Sequence, residues 1–340
     1  MLVLSDEVIQ RELSMRQVID LVEEAFVADA HGNARTFPAI VEYVGRANAH
    51  LGIKSGYLRF QATARAAGGD ASPMMRGEQE VLGLKAGGYW AANQARHGLP
   101  KHRATILLIN PDTGEALAVM SANCITRMRT AAAGAVAARY LARKNASAVL
   151  VVGTGEQAHA QVEALRLTRD TSILYVWDRQ EVATQNYVKE WRRRGVDAQP
   201  VVSLQDALEK ADIVVTTTPS TTPLVLSEWV VPGTHINAIG SDGAGKRELD
   251  TRLILRSKFV PDNLAQSTSI GELQGMAQSG ADSRSMVHAE LGQICAGMKA
   301  GRENDAEITI FDSSGVSFQD LVVAHYLVGL AQEKELGQIV

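Results

Sequence analysis

The sequence has very little cysteine and lacks several common catalytic motifs. Its 340 residues include two cysteines, Cys124 and Cys295, which are far apart and form no CxxC pair. A disulfide framework and a zinc site are therefore not expected, no metal is predicted, and the chain fits a reducing compartment. Because HExxH, GxSxG and P-loop motifs are missing as well, zinc hydrolysis, α/β-hydrolase chemistry and NTP hydrolysis have no support.

A surplus of one charge and long apolar runs are also missing. The formal net charge is −4, with acids and bases mixed along the chain, so nucleic acid is not an expected partner. No apolar run reaches the roughly 20 residues needed to span a bilayer. The N-terminus turns acidic at Asp6 and Glu7, unlike the basic flank of a signal peptide. We therefore predict a cytoplasmic protein without a membrane partner.

From Ala148 onward, short apolar segments alternate with helical ones. Strands are predicted near 148–152, 172–177, 197–202, 212–217, 234–239, 257–261 and 308–312. Helices are predicted near 156–168, 181–194 and 204–210. This alternation is typical of an α/β fold with a doubly wound parallel sheet. We assign residues 129–315 to this domain.

The remaining residues, 1–128 and 316–340, are predicted to form a second domain. Helices over 6–32, with Ser14 as an N-cap, precede strand-like segments that predict a mostly antiparallel sheet. An Ala-rich helix is expected from Thr130 to Arg143, and the apolar tail is expected to pack back as a helix. Residues 60–80 show little periodicity and predict a loop, either a lid or an indifferent insertion.

The most informative segment follows the apolar run 149–152 and has the pattern of a dinucleotide-binding turn. Its residues are Gly153, Thr154, Gly155, Glu156, Gln157 and Ala158. The first glycine permits the tight turn, the second lets the backbone approach a pyrophosphate, and the alanine lets helix and strand pack closely. Asp178, which follows the next strand, is expected to bind the ribose hydroxyls and to favour NAD. Arg179 beside it leaves NADP open, and the alternative role of Asp178 is a helix cap.

Polar residues follow two later strands of the same predicted sheet. Thr217, Thr218 and Pro219 end one strand, where ligands sit in doubly wound folds, although β-propensity alone also explains threonines there. Asp242 follows the other strand in a Gly-rich loop and is a candidate proton donor or amine-binding group. Its alternative is an ordinary turn aspartate.

Two cations in the first domain are candidate ligands for a substrate carboxylate. Lys85 ends an apolar strand-like run, where a charge needs a partner or water. Arg129 precedes the Ala-rich helix, and arginine can bind a carboxylate through two hydrogen bonds. Taken singly, each is also explained as a surface charge. Lys54, Lys101 and His102 are weaker candidates.

Six ordered blocks resemble the ornithine cyclodeaminase/μ-crystallin family over nearly the whole chain. They are Gly83–Lys85, Arg129–Ala133, Gly153–Ala158, Gly233–Asp242, Gly245–Asp250 and Thr309–Gly315. The resemblance implies a homodimer, a Rossmann domain, and a substrate-binding and dimerisation domain built from both termini. It implies that Lys85 and Arg129 hold the substrate carboxylate and that Asp242 and Lys85 take part in catalysis. Further cofactor contacts are expected from Thr130, Ile239, Gly240, Ser241 and Ser314; Gly271-Glu272 also matches, without an assignable role.

Two departures from the family pattern favour an acidic substrate. The segment Phe37–Glu42 lacks the cation that many members carry there, and Lys54 is expected to compensate. Lys101 and His102 stand where cyclodeaminases show a threonine, and extra cations suit a second carboxylate better than an amine. The leading expectation is an NAD(P)H-dependent imine reductase, specifically one converting iminosuccinate to aspartate. Open alternatives are a cyclodeaminase with tightly bound NAD, an alanine dehydrogenase and a μ-crystallin-like binding protein.

Overall fold

The computed structural model describes residues 1–45, 49–61, 77–280 and 282–340. These residues form two compact units. Unit one comprises Met1–Arg129 with Val316–Val340, and unit two comprises Thr130–Gly315. Element numbers below follow the chain. Among the described residues, each helix is too short or too polar to cross a bilayer.

Unit one combines a sheet with helices packed on one of its faces. Its strands are β1 (Leu2–Leu4), β2 (Ala34–Thr36), β3 (Ile40–Val44), β4 (Ala49–Gln61), β5 (Glu78–Trp90), β6 (His102–Ile109), β7 (Ala116–Ser121) and β15 (Gln338–Ile339). Its helices are α1 (Asp6–Glu12), α2 (Met15–Ala30), α3 (Asn93–His97), the start of α4 (Asn123–Leu141) and α12 (Ser317–Glu333). Ser14 caps α2 as predicted, since its Oγ accepts the N–H of Gln17 at 3.3 Å.

The sheet of unit one runs in the order β15-β1-β7-β6-β5-β4-β2, with β3 also paired to β4. Its pairs are antiparallel except for β1 with β7. Helix α12 packs on β4 and β5 and against α2, so the apolar tail completes the core that the N-terminal residues begin. Phe26 and Phe318 meet edge to face there, with ring centroids 5.6 Å apart.

Unit two is a Rossmann-type parallel sheet. Its strands are β8 (Ala148–Val152), β9 (Ile173–Trp177), β10 (Ala198–Pro200), β11 (Ile213–Thr216), β12 (His235–Ala238), β13 (Lys258–Pro261) and β14 (Thr309–Asp312). Its helices after α4 are α5 (Glu156–Thr168), α6 (Glu181–Arg193), α7 (Leu204–Leu208), α8 (Thr251–Leu255), α9 (Leu264–Ile270), α10 (Gln274–Gln278) and α11 (Leu291–Cys295). The predicted α/β fold class is confirmed.

The strand order in unit two is β10-β9-β8-β11-β12-β14-β13, and the pairs are parallel. The order reverses between β8 and β11, so ligands are expected at the carboxyl ends of these two strands. Strands β8, β11 and β12 are buried along their whole length apart from Ala148. Burial on both faces explains their continuous apolar sequence.

Two sequence-based placements are wrong. Helix α4 begins at Asn123 rather than Thr130, so Arg129 lies inside it, because buried Cys124, Ile125 and Met128 continue the helical spacing upstream. Lys85 lies in the middle of β5 rather than at a strand end. The glycines after it belong to the strand, because a Cβ on Gly88 would lie 1.8 Å from the carbonyl oxygen of His50.

The loop predicted over 60–80 is shorter than expected. Residues 60–61 end β4 and residues 78–80 begin β5, and these two strands pair from Ala49 opposite Trp90 to Gln61 opposite Glu78. Residues 62–76 lie outside the described part of the chain, and the question of a lid falls on them.

Candidate functional site

The turn between β8 and α5 has the geometry that a dinucleotide phosphate requires. Gly153 has φ of +95°, a left-handed conformation that favours glycine. A Cβ added to Gly155 would meet no atom within 4 Å, so the space beside this residue is open. Gly155 caps α5 without any side-chain hydrogen bond, which leaves the N–H groups of the first helical turn for a ligand.

Asp178 is held beside this turn by several donors. Its Oδ2 accepts the backbone N–H of Thr154 at 3.1 Å and the hydroxyl of the same residue at 2.9 Å. Its Oδ1 accepts the N–H of Gln180 at 2.9 Å. The helix-cap alternative does not hold, because the N-cap of α6 is Gln180. Arg179 is exposed next to it.

The predicted strand-end residues lie side by side because the sheet ladder continues past the strands. Thr217 donates its N–H to Val152 at 2.9 Å, and Ile239 donates to Thr216 at 3.0 Å. Ser313 donates in the same way to Ala238 at 2.9 Å. The loops after β8, β11, β12 and β14 thus form one continuous edge. Residues of this edge fit a dinucleotide: an open glycine turn, an uncapped helix start and a carboxylate where the ribose diol is expected.

Some predicted cofactor contacts have other partners. Ser314 is buried and donates its hydroxyl to Asp262 at 2.7 Å. The carbonyl of Thr130, which is also buried, accepts the side-chain N–H of Gln161 at 3.1 Å. Gly240 and Thr218 share one carboxylate, that of Glu248. These hydrogen bonds hold the loops of the edge in place, so the groups that make them are already bonded within the protein.

Asp242 lies in the loop after β12 with its side chain 53% exposed. The ammonium of Lys246 is 2.5 Å from Asp242 Oδ1. Gln274 supports this loop from α10: its amide N–H donates to the carbonyl of Lys246 at 2.8 Å, and its oxygen accepts the N–H of Gly245 at 2.7 Å. An accessible carboxylate in a braced loop can bind a protonated nitrogen or relay a proton.

In unit one, the two predicted carboxylate ligands converge on a buried acid. Lys85 donates to Asp320 Oδ2 at 2.6 Å and to the Thr126 hydroxyl at 3.2 Å. Arg129 donates from Nε to Asp320 Oδ1 at 3.1 Å and from Nη1 to Gln319 at 2.7 Å. Burial and the neighbouring guanidinium lower the pKa of Lys85 to about 7. Although burial raises it, the two cations hold the pKa of Asp320 below its usual value.

A third cation faces the same region of the sheet. Lys54 on β4 lies directly opposite Lys85 on β5, and its charge contributes to lowering the pKa of Lys85. Like charges directly opposite each other destabilise a sheet, and Asp320 offsets part of this repulsion, since Lys54 also contributes to lowering the pKa of that acid. Lys101 is exposed, and His102 begins β6 four residues before Ile106, the residue paired with Lys85. That spacing corresponds to about 14 Å along the strand.

Sequence reasoning missed Asp320, Gln319 and Thr126. The signal for Asp320 was present, since a carboxylate inside an apolar helix such as α12 must find a charged partner. It also missed Asp262 and Asp312 and gave no role to Glu248 and Glu272. These four carboxylates are buried in unit two. Asp262 and Asp312 come at the ends of apolar strands, the same signal that singled out Asp178, whereas Glu248 and Glu272 lie in loops.

Comparison with known proteins adds to this geometry. The profile of the ornithine cyclodeaminase/mu-crystallin family matches residues 1–335. Alanine dehydrogenase of Archaeoglobus fulgidus is 40% identical over 338 residues, which cover 99% of this chain and 97% of that protein. Iminosuccinate reductase of Paracoccus denitrificans is 36% identical over 338 residues, covering 99% of both.

Solved structures agree over the full length. An archaeal alanine dehydrogenase dimer with bound NAD has a TM-score of 0.89 at 38% identity, covering 100% of this chain and 98% of that one. Thermococcus litoralis Δ1-pyrroline-2-carboxylate reductase, in complex with NADH and L-proline, has a TM-score of 0.88 at 32% identity, covering 100% of both chains. The expected resemblance is confirmed: the chain belongs to the ornithine cyclodeaminase/mu-crystallin family.

Proposed function

We propose that this protein is an NAD(P)H-dependent reductase of a small α-imino acid and that its substrate is iminosuccinate, which it converts to aspartate. The observation that carries the proposal is the cluster of Lys54, Lys85 and Arg129, with Lys54 and Lys85 directly opposite on neighbouring strands. Three cations around the one acid Asp320 leave a net positive charge, which a dicarboxylate substrate would balance. The family relatives named as dehydrogenases and reductases support the reaction class.

Each residue has a definite part in this scheme. Arg129 and Lys85 bind the α-carboxylate, and Lys54 binds the distal one; Lys101 and His102 remain weaker candidates for it. The turn 153–158 binds the pyrophosphate, and Asp178 binds the ribose and favours NAD over NADP. Asp242 holds the substrate nitrogen and the proton that it gains.

When bound, a reduced nicotinamide supplies the hydride. Hydride adds to the imine carbon and a proton to the nitrogen, so the C=N bond is reduced to an amine. The protein contributes binding, orientation and charge, which are the parts of such catalysis that a fold controls. The ion pair with Lys246 restrains the Asp242 carboxylate within its loop.

The test is NADH oxidation in four separate assays. The additions are oxaloacetate plus ammonia, oxaloacetate alone, pyruvate plus ammonia, and Δ1-pyrroline-2-carboxylate. We expect oxidation with the first and aspartate as the product. Oxidation with pyruvate plus ammonia alone would make the protein an alanine dehydrogenase, which the Archaeoglobus relative favours. Ammonia release from ornithine without net NADH change would make it a cyclodeaminase, and dinucleotide binding without turnover a binding protein.

Lys54→Met sharpens this test. We expect kcat/KM for the four-carbon acid to fall by roughly 10- to 100-fold, the cost of one charge-assisted contact, while that for the three-carbon acid changes little. The same measurement on Lys101→Met tests whether Lys101 binds the distal carboxylate instead. Lys189→Met, an exposed lysine on α6, is the control and should match the wild type. Equal losses for both acids with Lys54→Met would contradict the assignment of the distal carboxylate.

We also propose that the functional form is a homodimer in the cytoplasm and that β3 lies at the interface. Each residue of β3 is exposed, including Ile40 at 54%, Val41 at 50% and Tyr43 at 75%. Exposed apolar strands commonly mark association surfaces. Sedimentation of the wild type should give a dimer, and Tyr43→Asp should shift it toward the monomer. A monomeric wild type would contradict the proposal.

A further inference from the structure

Glu248 is fully buried at the centre of the edge formed by the strand-end loops of unit two. Its Oε1 accepts the N–H of Thr218 at 2.6 Å and the hydroxyl of Thr218 at 2.7 Å. Its Oε2 accepts the hydroxyl of Thr216 at 2.6 Å and the N–H of Gly240 at 2.9 Å. One side chain therefore ties the loop after β11 to the loop after β12.

Steric evidence shows how closely this carboxylate is fitted. A Cβ on Gly240 would lie 2.6 Å from Glu248 Cδ and 2.3 Å from the carbonyl oxygen of Thr218. Glu248 and Thr218 together therefore require glycine at position 240. This requirement explains Gly240 in the block Gly233–Asp242 without any direct contact to a ligand. A larger residue would push the two loops apart.

A second carboxylate holds the first. Glu272, also buried, accepts the N–H of Glu248 at 2.8 Å and that of Leu249 at 3.2 Å. Its own N–H donates to Asp312 Oδ2 at 3.1 Å. A Cβ on Gly271 would lie 2.5 Å from that same oxygen, so glycine is required there too. These contacts give Gly271-Glu272 the structural role that the sequence left open.

We propose that Glu248 is a positioning residue for the dinucleotide: it clamps the loops bearing Thr217–Pro219 and Ile239–Ser241 in one fixed spacing, and Glu272 orients it. The inference rests on the proposed function in one respect, the assignment of these two loops to the cofactor. The clamp acts through the loops, so Glu248 itself touches neither substrate nor cofactor. Its loss should weaken dinucleotide binding more than binding of the acid.

Glu248→Gln is the decisive variant because an amide cannot replace both oxygens. Whichever way the amide lies, its NH2 faces either the N–H of Thr218 or that of Gly240, so one of the two loops loses its tether. Leaving a buried N–H unsatisfied corresponds to a change of roughly 5- to 150-fold in an equilibrium constant. We expect the Kd for NADH to rise within that range, with KM for the acid nearly unchanged.

The matched control is Asp212→Asn. Asp212 accepts the N–H groups of Ser147 at 2.9 Å and Ala148 at 3.0 Å on one oxygen and pairs with Arg143 through the other, next to the amino end of the same strand, β11. An amide can keep both N–H bonds but loses the ion pair, so this variant should lower the unfolding temperature. It should leave the Kd for NADH within about twofold, since that end lies away from the cofactor edge. If both variants weaken NADH binding equally, Glu248 has a merely structural role and the proposal is wrong.

Hydrogen exchange without dinucleotide tests the clamp apart from the proposed function. In Glu248→Gln the amides of residues 217–218 and 239–243 should exchange faster than in the wild type, and those of Asp212→Asn should not. Unchanged exchange would overturn the clamp. A wild type that binds no NADH would instead overturn the proposed function. Should Glu248→Gln not fold, Thr216→Val, which removes one hydroxyl, decides by the same measurements with a smaller shift.

Discussion

The two units both bury carboxylates, but they compensate the charge in different ways. In unit one, Asp320 lies between the ammonium of Lys85 and the guanidinium of Arg129, so opposite charges balance it. In unit two, Glu248, Glu272 and Asp312 accept hydrogen bonds from backbone N–H groups and hydroxyls. Burial raises the pKa of all three.

This difference in charge compensation distinguishes a cluster that can bind a ligand from one that supports the backbone. A cluster that keeps two or three cations against one acid retains positive charge, and a charged ligand can use it. The acids of unit two have hydrogen-bond donors rather than cations around them, and their oxygens serve as acceptors that fix the backbone. We therefore expect changes in unit one to act on substrate and changes around Glu248 to act on dinucleotide binding and stability.

The largest effect is expected from Arg129→Met. Two charge-assisted hydrogen bonds to the substrate carboxylate are lost, so kcat/KM should fall by roughly 100- to 1,000-fold. Asp320 keeps its ion pair with Lys85 but loses the one with Arg129, and breaking a buried ion pair costs about 3–5 kcal/mol of stability. Steady-state kinetics and denaturant unfolding measure the two losses separately.

The triple variant Lys85→Met, Arg129→Met, Asp320→Leu separates binding from folding. Removing all three groups of the buried ion pairs should restore most of the stability, because apolar side chains replace charged ones and no partner is left unpaired. Activity should stay low, since both carboxylate ligands are missing. A triple variant that recovers both stability and activity would show that the cluster is structural and would remove the contrast between the units.

A smaller effect is expected in the pH dependence of anion binding. With a pKa of about 7, Lys85 is half protonated near neutrality, and its charged form binds a carboxylate better. Succinate is a suitable probe because both of its carboxylates are ionised above pH 7. Its inhibition constant should rise with pH above about 7, approaching tenfold per unit.

Lys85→Arg is the control for this titration, because a guanidinium keeps its charge throughout the range. The variant should show a weaker pH dependence of succinate inhibition whatever its absolute affinity. If wild type and Lys85→Arg follow the same curve, the titrating group is not Lys85. Acetate in place of succinate should show the same dependence with lower affinity.

The sequence was sufficient for the strands and the glycine turn of unit two and much less so for the ion cluster. The strands around 149–152 and 213–216, the turn at Gly153 and the cap at Ser14 are local features, and short-range chemistry determines them. The partner of Lys85, in contrast, is 235 residues away at Asp320. Periodicity carries no information about such a pairing, because tertiary packing brings the two residues together.

Two errors have related causes. The apolar run was expected to end at Lys85, yet β5 continues through Gly87 and Gly88, where the close approach of β6 and β4 requires glycine. The start of α4 was placed seven residues late because its polar residues hide the buried Cys124, Ile125 and Met128. In both places a tertiary contact outweighed the local pattern. The same is true of Glu248, whose partners become visible only when β11 and β12 lie side by side.

The last prediction compares one acid from each unit by its effect on stability against pH. Burial raises the pKa of Asp312 to about 8, so the folded protein holds a proton that the unfolded chain releases above its ordinary value of 3.8. Folding then takes up a proton, and the free energy of unfolding decreases as pH rises toward 8. Asp312→Asn removes this uptake. Its stability relative to the wild type should increase with pH by at most about 1.4 kcal/mol per unit and level off above 8.

Asp320→Asn should show the opposite sign. The pKa of Asp320 is lowered in the folded protein, so its carboxylate stabilises the fold above the unfolded value of 3.8 and loses that effect as pH falls. The wild type should exceed this variant at pH 7, and the gap should narrow in acid. Urea unfolding at several pH values from about 2 to about 9 measures both differences, since the Asp320 gap narrows below 3.8 and the Asp312 difference levels off above 8. If the stability differences of the two variants from the wild type change with pH in the same direction, Asp312 and Asp320 have pKa shifts of the same sign. The contrast between the buried acids of the two units would then be wrong.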